Sequence, residues 1–175
     1  ADRGPDDFWS NIGLSEIEIY GEESDIEAAE NKNHVNAAGV TAEASTTEAS
    51  SLPVSNIKDG NNQTRWASDY SEASKQTVTV TFPKVTLVKE LDFDLHTRDV
   101  APMPSNVKSF DLVYADAAGT EHTVKISNAK STESGKTGYV TNVQHIFETP
   151  VYMKSFKMTN FDLQIDIEGQ NGYNN

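Results

Sequence analysis

The 175-residue chain has no cysteine. That excludes a disulfide framework, thiolate metal ligands and thiol nucleophiles, while leaving the compartment open. Basic side chains are scarce: 14 Lys and Arg stand against 27 Asp and Glu, for a net charge of −13. Such a surface disfavours a phosphate backbone or an anionic membrane as partner. No apolar run approaches the ~18 residues that would span a bilayer, and no secretory leader is visible. His34, His96, His122 and His145 are scattered over different segments, so neither a hydrolytic metal set nor a nucleophile–base pair can be read. A glycosidase would need two carboxylates roughly 5–10 Å apart across one bond. The many acidic residues single out no such pair, and the chain reads as a non-enzyme.

Helical patterning is also sparse. Only residues 25–33 carry helix-like composition, ended by Asn31 and Asn33. Period two dominates instead. Thr77 to Phe82 alternates and stops at Pro83; Leu91, Phe93 and Leu95 alternate with Asp92 and Asp94. Phe110, Leu112 and Tyr114 follow and meet a turn at residues 116–119. His122, Val124 and Ile126 come next, then residues 151–158 and 163–167. Short strands between turn signals predict an all-β sandwich. Residues 127–138 are polar and read as a mobile loop. Residues 1–7 read as a linker remnant before a single domain over residues 8–175, a piece of something larger.

The densest stretch is Asn56-Ile57-Lys58-Asp59-Gly60-Asn61-Asn62-Gln63-Thr64-Arg65-Trp66. Gly60 permits a turn with positive φ. Asp59, Asn61 and Thr64 can direct oxygens to one point, and oxygen-only ligands suit a hard cation such as calcium. A plain Asp-Gly turn with polar decoration is the other reading. The Trp66 indole should anchor the loop in the core.

Residues 59–68 resemble the opening signature of the discoidin, or coagulation-factor type C, family, which includes the family 32 carbohydrate-binding modules. Gly13-Leu14-Ser15-Glu16-Ile17-Glu18-Ile19-Tyr20-Gly21 resembles the family's closing strand. Thr97-Arg98-Asp99, Asn106 and residues 109–114 resemble its middle. The resemblance spans roughly residues 8–168 and implies a jelly-roll, galactose-binding-like fold. It also implies sugar-binding loops at one end, where Arg98 and Asn106 match the family's arginine and asparagine. Arg98 offers a planar fork of donors for vicinal hydroxyls. Its other reading is an ion pair with Asp99 or Asp69, and that of Asn106 a turn residue. Glu48 stands where some members place an acidic sugar contact, although an exposed loop charge reads equally well. Ala67 occupies the position of the family's galactose-reading histidine, which removes the basis for strict galactose specificity. Tyr70 keeps the aromatic, and His96 is a candidate replacement imidazole or a structural histidine. For the platform aromatic that stacks on a sugar ring, Phe8 and Trp9 lead, with Tyr70, Phe161 and Tyr173 as competitors.

The family's closing strand comes last; here its likeness comes first. Three readings stand: residues 12–19 lie in this domain's own sheet beside the C-terminal segment, as in a circular permutation; they belong to a preceding repeat; or residues 163–167 form a degenerate closing strand. By the resemblance, Glu16 would reach back to the Asp59 loop and share a structural calcium with it. The whole implies a monomeric, non-catalytic module for a terminal hexose or N-acetylhexosamine. It would be linked to a secreted bacterial glycoside hydrolase, with no nucleic-acid partner and no membrane insertion. The alternative is a discoidin-type protein-interaction, adhesion or spacer module.

Overall fold

The computed structural model describes residues 12–23, 32–33, 35–69, 72–96, 105–130 and 140–165. Among them eight strands run in chain order: β1 (Gly13–Glu23), β2 (Lys32–Asn33), β3 (Thr41–Ala44), β4 (Trp66–Ala67), β5 (Val78–His96), β6 (Ser105–Ala115), β7 (Glu121–Ser127) and β8 (Val140–Ile165). All described pairings are antiparallel, in the order β2-β1-β5-β8-β6-β7, with β3 on β5 and β4 on β1. Two short 3-10 helices, Val54–Lys58 and Ala73–Lys75, interrupt the connections. No helix among the described residues is long and apolar enough to cross a membrane.

The chain forms an all-β sandwich because β5 and β8 are long enough to serve both layers. The end of β5 pairs β1 and the start of β8; the start of β5 pairs β3 and a later part of β8, which also carries β6. Alternation turns Leu91, Phe93 and Leu95 inward from β5, and Phe110 and Leu112 from β6. Phe93 meets Phe110 edge-on at 5.1 Å and Phe156 at 6.5 Å, so aromatic rings join the two layers. Phe161 tilts against Phe110 at 5.6 Å and is 2% exposed, which removes it from the candidate platform aromatics.

Three strand limits differ from the sequence reading. The strand from Thr77 does not stop at Pro83: β5 runs on to His96. Its register breaks between Thr81 and Thr86, so proline's missing N–H falls in an irregularity where no ladder bond is lost. Residues 151–158 and 163–167 are not separate strands, because β8 is continuous from Val140. Residues 12–19 belong to this sheet, but their neighbour is β5, not the C-terminal segment; Leu163 instead pairs Val107 of β6. The helix-like stretch before β2 and most of the 127–138 loop lie outside the described residues.

On the outer side of the β1–β5–β8 layer the register aligns Glu18 with Asp92 and Gln144, and Tyr20 with Glu90 and Ile146. Burial, reinforced by Glu90, pushes the Asp92 carboxyl up to about 6. A carboxyl raised on folding favours the folded state below its unfolded value and loses that contribution as pH climbs through the folded value. Asp92→Asn removes the loss. Its stability relative to wild type should therefore grow between about pH 4 and pH 7, levelling at ~1–2 kcal/mol after allowance for solvent screening. Urea unfolding across that range checks this; a difference that is flat with pH would refute it.

Candidate functional site

The loop after Val54–Lys58 is shaped by its own side chains. Gly60 takes φ +75, which an L side chain rarely adopts. The Asn61 N–H donates to Asp59 Oδ1 at 2.8 Å, and the Gln63 N–H to Asn61 Oδ1 at 3.1 Å. Thr64 Oγ1 lies 2.7 Å from Asp59 Oδ2 and 2.8 Å from the Asn61 carbonyl. Asn56 closes the loop by donating from Nδ2 to the Arg65 carbonyl at 2.8 Å. Ile57 and Trp66 are fully buried on either side, and Trp66 Nε1 donates to the Thr46 carbonyl at 3.0 Å. The predicted core anchor is thus in place.

Glu16 reaches this loop from β1. A register shift opposite β5 between Leu14 and Glu16 re-aims the strand there. The Gly60 N–H donates to Glu16 Oε2 at 3.0 Å. Glu16 is only 5% exposed, and its other oxygen, Oε1, is buried with no hydrogen-bond partner; Ser15 Oγ is in the same condition. Desolvation pushes the Glu16 carboxyl up to about 7; the Gly60 and Asn61 N–H groups oppose the shift and the Asp59 charge adds to it. A buried carboxylate oxygen without a donor is costly. Beside Asp59, Asn61 and Thr64 it completes an oxygen-only donor set, which fits a hard cation. Among the described residues no group of three or more His, Cys, Asp or Glu gathers as a metal cluster. An ion here would therefore draw on two carboxylates, with amide, hydroxyl and backbone oxygens filling its remaining coordination.

The second candidate group assembles at one end of the sandwich through the sheet register. Gly13 pairs both Ala67 and His96, and His96 pairs Val140. A Cβ on Gly13 would stand 3.0 Å from the His96 carbonyl oxygen, so glycine permits this crossing. The Glu48 N–H donates to the Ala67 carbonyl at 2.8 Å. Asn106 Nδ2 lies 3.5 Å from Thr141 Oγ1, one residue along β8 from Val140. Glu48, Ala67, His96 and Asn106 therefore share one end, although up to 58 residues separate them in sequence. His96 is 9% and Asn106 1% exposed, so both lie beneath the rim, and Asn106 Oδ1 has no partner. Arg98, Tyr70, Phe8 and Trp9 lie outside the described residues.

Two positions here were missed from sequence. Gln76 Oε1 accepts from Ser45 Oγ at 2.7 Å and from Thr46 Oγ1 at 2.6 Å, pinning the loop that carries Glu48. Ser68 ties β1 to the same end: its Oγ accepts from the Ile12 N–H at 3.0 Å, and its N–H donates to the Ile12 carbonyl at 3.0 Å. Nothing in a polar loop sequence distinguishes such residues; only the fold gives them partners.

This architecture has relatives among solved structures. The family 32 carbohydrate-binding module of NanJ from Clostridium perfringens, solved in complex with galactose, superposes with a TM-score of 0.53 at 18% identity, covering 75% of this chain and 91% of that one. A family 32 module from a family 31 glycoside hydrolase of the same organism gives a TM-score of 0.52 at 18% identity, over 73% and 89% of the two chains. No curated protein sequence matches. The family model for the F5/8 type C domain matches residues 41–172, three quarters of the sequence. With the sandwich, the Asp59 loop and the Trp66 anchor already in view, this match shows that the chain belongs to the F5/8 type C, or discoidin, family.

Proposed function

We propose that the chain is a non-catalytic carbohydrate-binding module for a terminal hexose or N-acetylhexosamine, tethered to a secreted bacterial glycoside hydrolase. The observation that carries this reading is the convergence of Glu48, Ala67, His96 and Asn106 on one end of the sandwich. In this reading Arg98 supplies the fork of donors to vicinal hydroxyls, and Tyr70, Phe8 or Trp9 the apolar face for the ring. The buried His96 and Asn106 shape the floor. With Ala67 where an imidazole would read an axial hydroxyl, more than one hexose is accepted. The Asp59 loop and Glu16 hold a structural calcium that ties β1 to the loop beside this end. Tethering raises the local concentration of a catalytic partner at its glycan even when each contact is weak.

A glycan array in calcium, with wild type beside Arg98→Ala, tests the reading. Binding to terminal galactose, N-acetylgalactosamine or N-acetylglucosamine is expected, weakened at least about ten-fold by the substitution, since hydrogen bonds to charged groups are worth ~1.5–3 kcal/mol. A folded protein that binds no glycan would sink the sugar reading and favour a protein-interaction module.

A further inference from the structure

The outer side of the β1–β5–β8 layer, where Glu16 stands opposite Asp94 in the register, has an unusual make-up. Glu90, Asp92 and Asp94 project from β5 at every second residue, while Leu91, Phe93 and Leu95 turn into the core. Their neighbours on β8 are amides: Asn142 Nδ2 donates to Asp94 Oδ1 at 2.9 Å, and Gln144 Nε2 donates to Glu90 Oε1. Among the described residues no lysine or arginine pairs with these three carboxylates. Asp92 Oδ1 is buried and accepts no hydrogen bond at all. Along the same side the acidic row gives way to apolar groups: Ile146 is 62% exposed, and Tyr152, opposite Leu87, is 44% exposed.

We propose that this face docks a basic protein segment in extended conformation, with lysine or arginine at alternate positions. Alternate side chains of an extended strand lie ~6.5–7 Å apart, the same interval at which β5 presents its carboxylates. The charge also decides against the other occupants. A second copy of a chain carrying −13 would bring like charge to like charge. A neutral glycan can donate hydroxyls to these carboxylates but leaves their charge uncompensated. A partner's ammonium or guanidinium supplies the positive charge that no lysine or arginine among the described residues brings to Glu90, Asp92 and Asp94, and its aliphatic side chains cover Ile146 and Tyr152, an apolar anchor beside a charged rim.

The test is fluorescence anisotropy with a labelled decapeptide of alternating lysine and threonine, in calcium and near-physiological salt. Wild type is expected to bind. Glu90→Gln/Asp92→Asn, which keeps shape and removes mutual repulsion, should weaken binding about ten-fold; Glu43→Gln/Glu121→Gln, which removes the same charge elsewhere, should weaken it less than about two-fold. Ile146→Ser should weaken a leucine-containing version of the peptide about three-fold and leave the threonine version unchanged. Equal losses in the two double variants would reduce the effect to general net-charge attraction and overturn the proposal. So would absence of binding, or sedimentation showing a dimer of the chain that excludes the peptide.

Discussion

A chain trimmed to residues 41–172, the span of the family match, should not fold. The trimmed chain lacks β1 and the residue before it, which together supply Ile12, Leu14, Ile17 and Ile19 to the core at no more than 1% exposure each. At ~1.5–3 kcal/mol for each fully buried aliphatic side chain, the loss is about 6–12 kcal/mol. Domains of this kind are stable by ~5–15 kcal/mol in total, so little or nothing would remain. The ladder from Gly13 to Glu23 on β5 would be lost as well, leaving a long apolar strand edge open to association. The trimmed chain is expected to show no cooperative melting transition and to aggregate. A trimmed chain melting cooperatively within about 5 °C of the full protein would show that β1 contributes far less than its burial implies.

Calcium should raise the melting temperature, and Glu16→Gln should abolish the rise. A ligand at a hundred times its dissociation constant stabilises the folded state by ~2.7 kcal/mol, which for a domain of this size is about 5–10 °C. The effect depends on Glu16 because its Oε1 is the buried oxygen that no protein donor reaches. Glutamine can still accept the Gly60 N–H bond but brings no charge. In EDTA, Glu16→Gln should match wild type or exceed it, since it removes a carboxyl that burial already pushes up to about 7. A substitution that merely broke the fold would instead lower the melting temperature with and without calcium. Differential scanning calorimetry of both proteins, in calcium and in EDTA, separates the cases. A wild type indifferent to calcium would remove the ion from the account.

Much of this was legible in the sequence because period-two alternation reports burial directly. Phe93, Leu95, Phe110 and Leu112 turn inward as the pattern requires. Trp66 is buried, and Asp59, Asn61 and Thr64 form one loop, because glycine and short polar side chains act on neighbours within a few residues. Continuity of strands was not legible. Pro83 reads as a stop, yet β5 passes through it, since the proline falls inside a register break between Thr81 and Thr86 where no ladder bond needs its missing donor. Phe161 reads as an exposed aromatic as readily as a core one; only its tilted contact with Phe110 decides.

By itself, then, the sequence determined the class of fold, the turn at Asp59–Gly60 and the positions of the inward-facing side chains, because each follows from residues within one turn or strand. The tertiary structure alone decided that β1 lies between β2 and β5, that Glu16 meets Gly60 across 44 positions, and that Glu48, Ala67, His96 and Asn106 share one end. Strand neighbours are chosen by which long-range register buries the most apolar surface with every backbone group paired, and that choice belongs to the whole sheet at once.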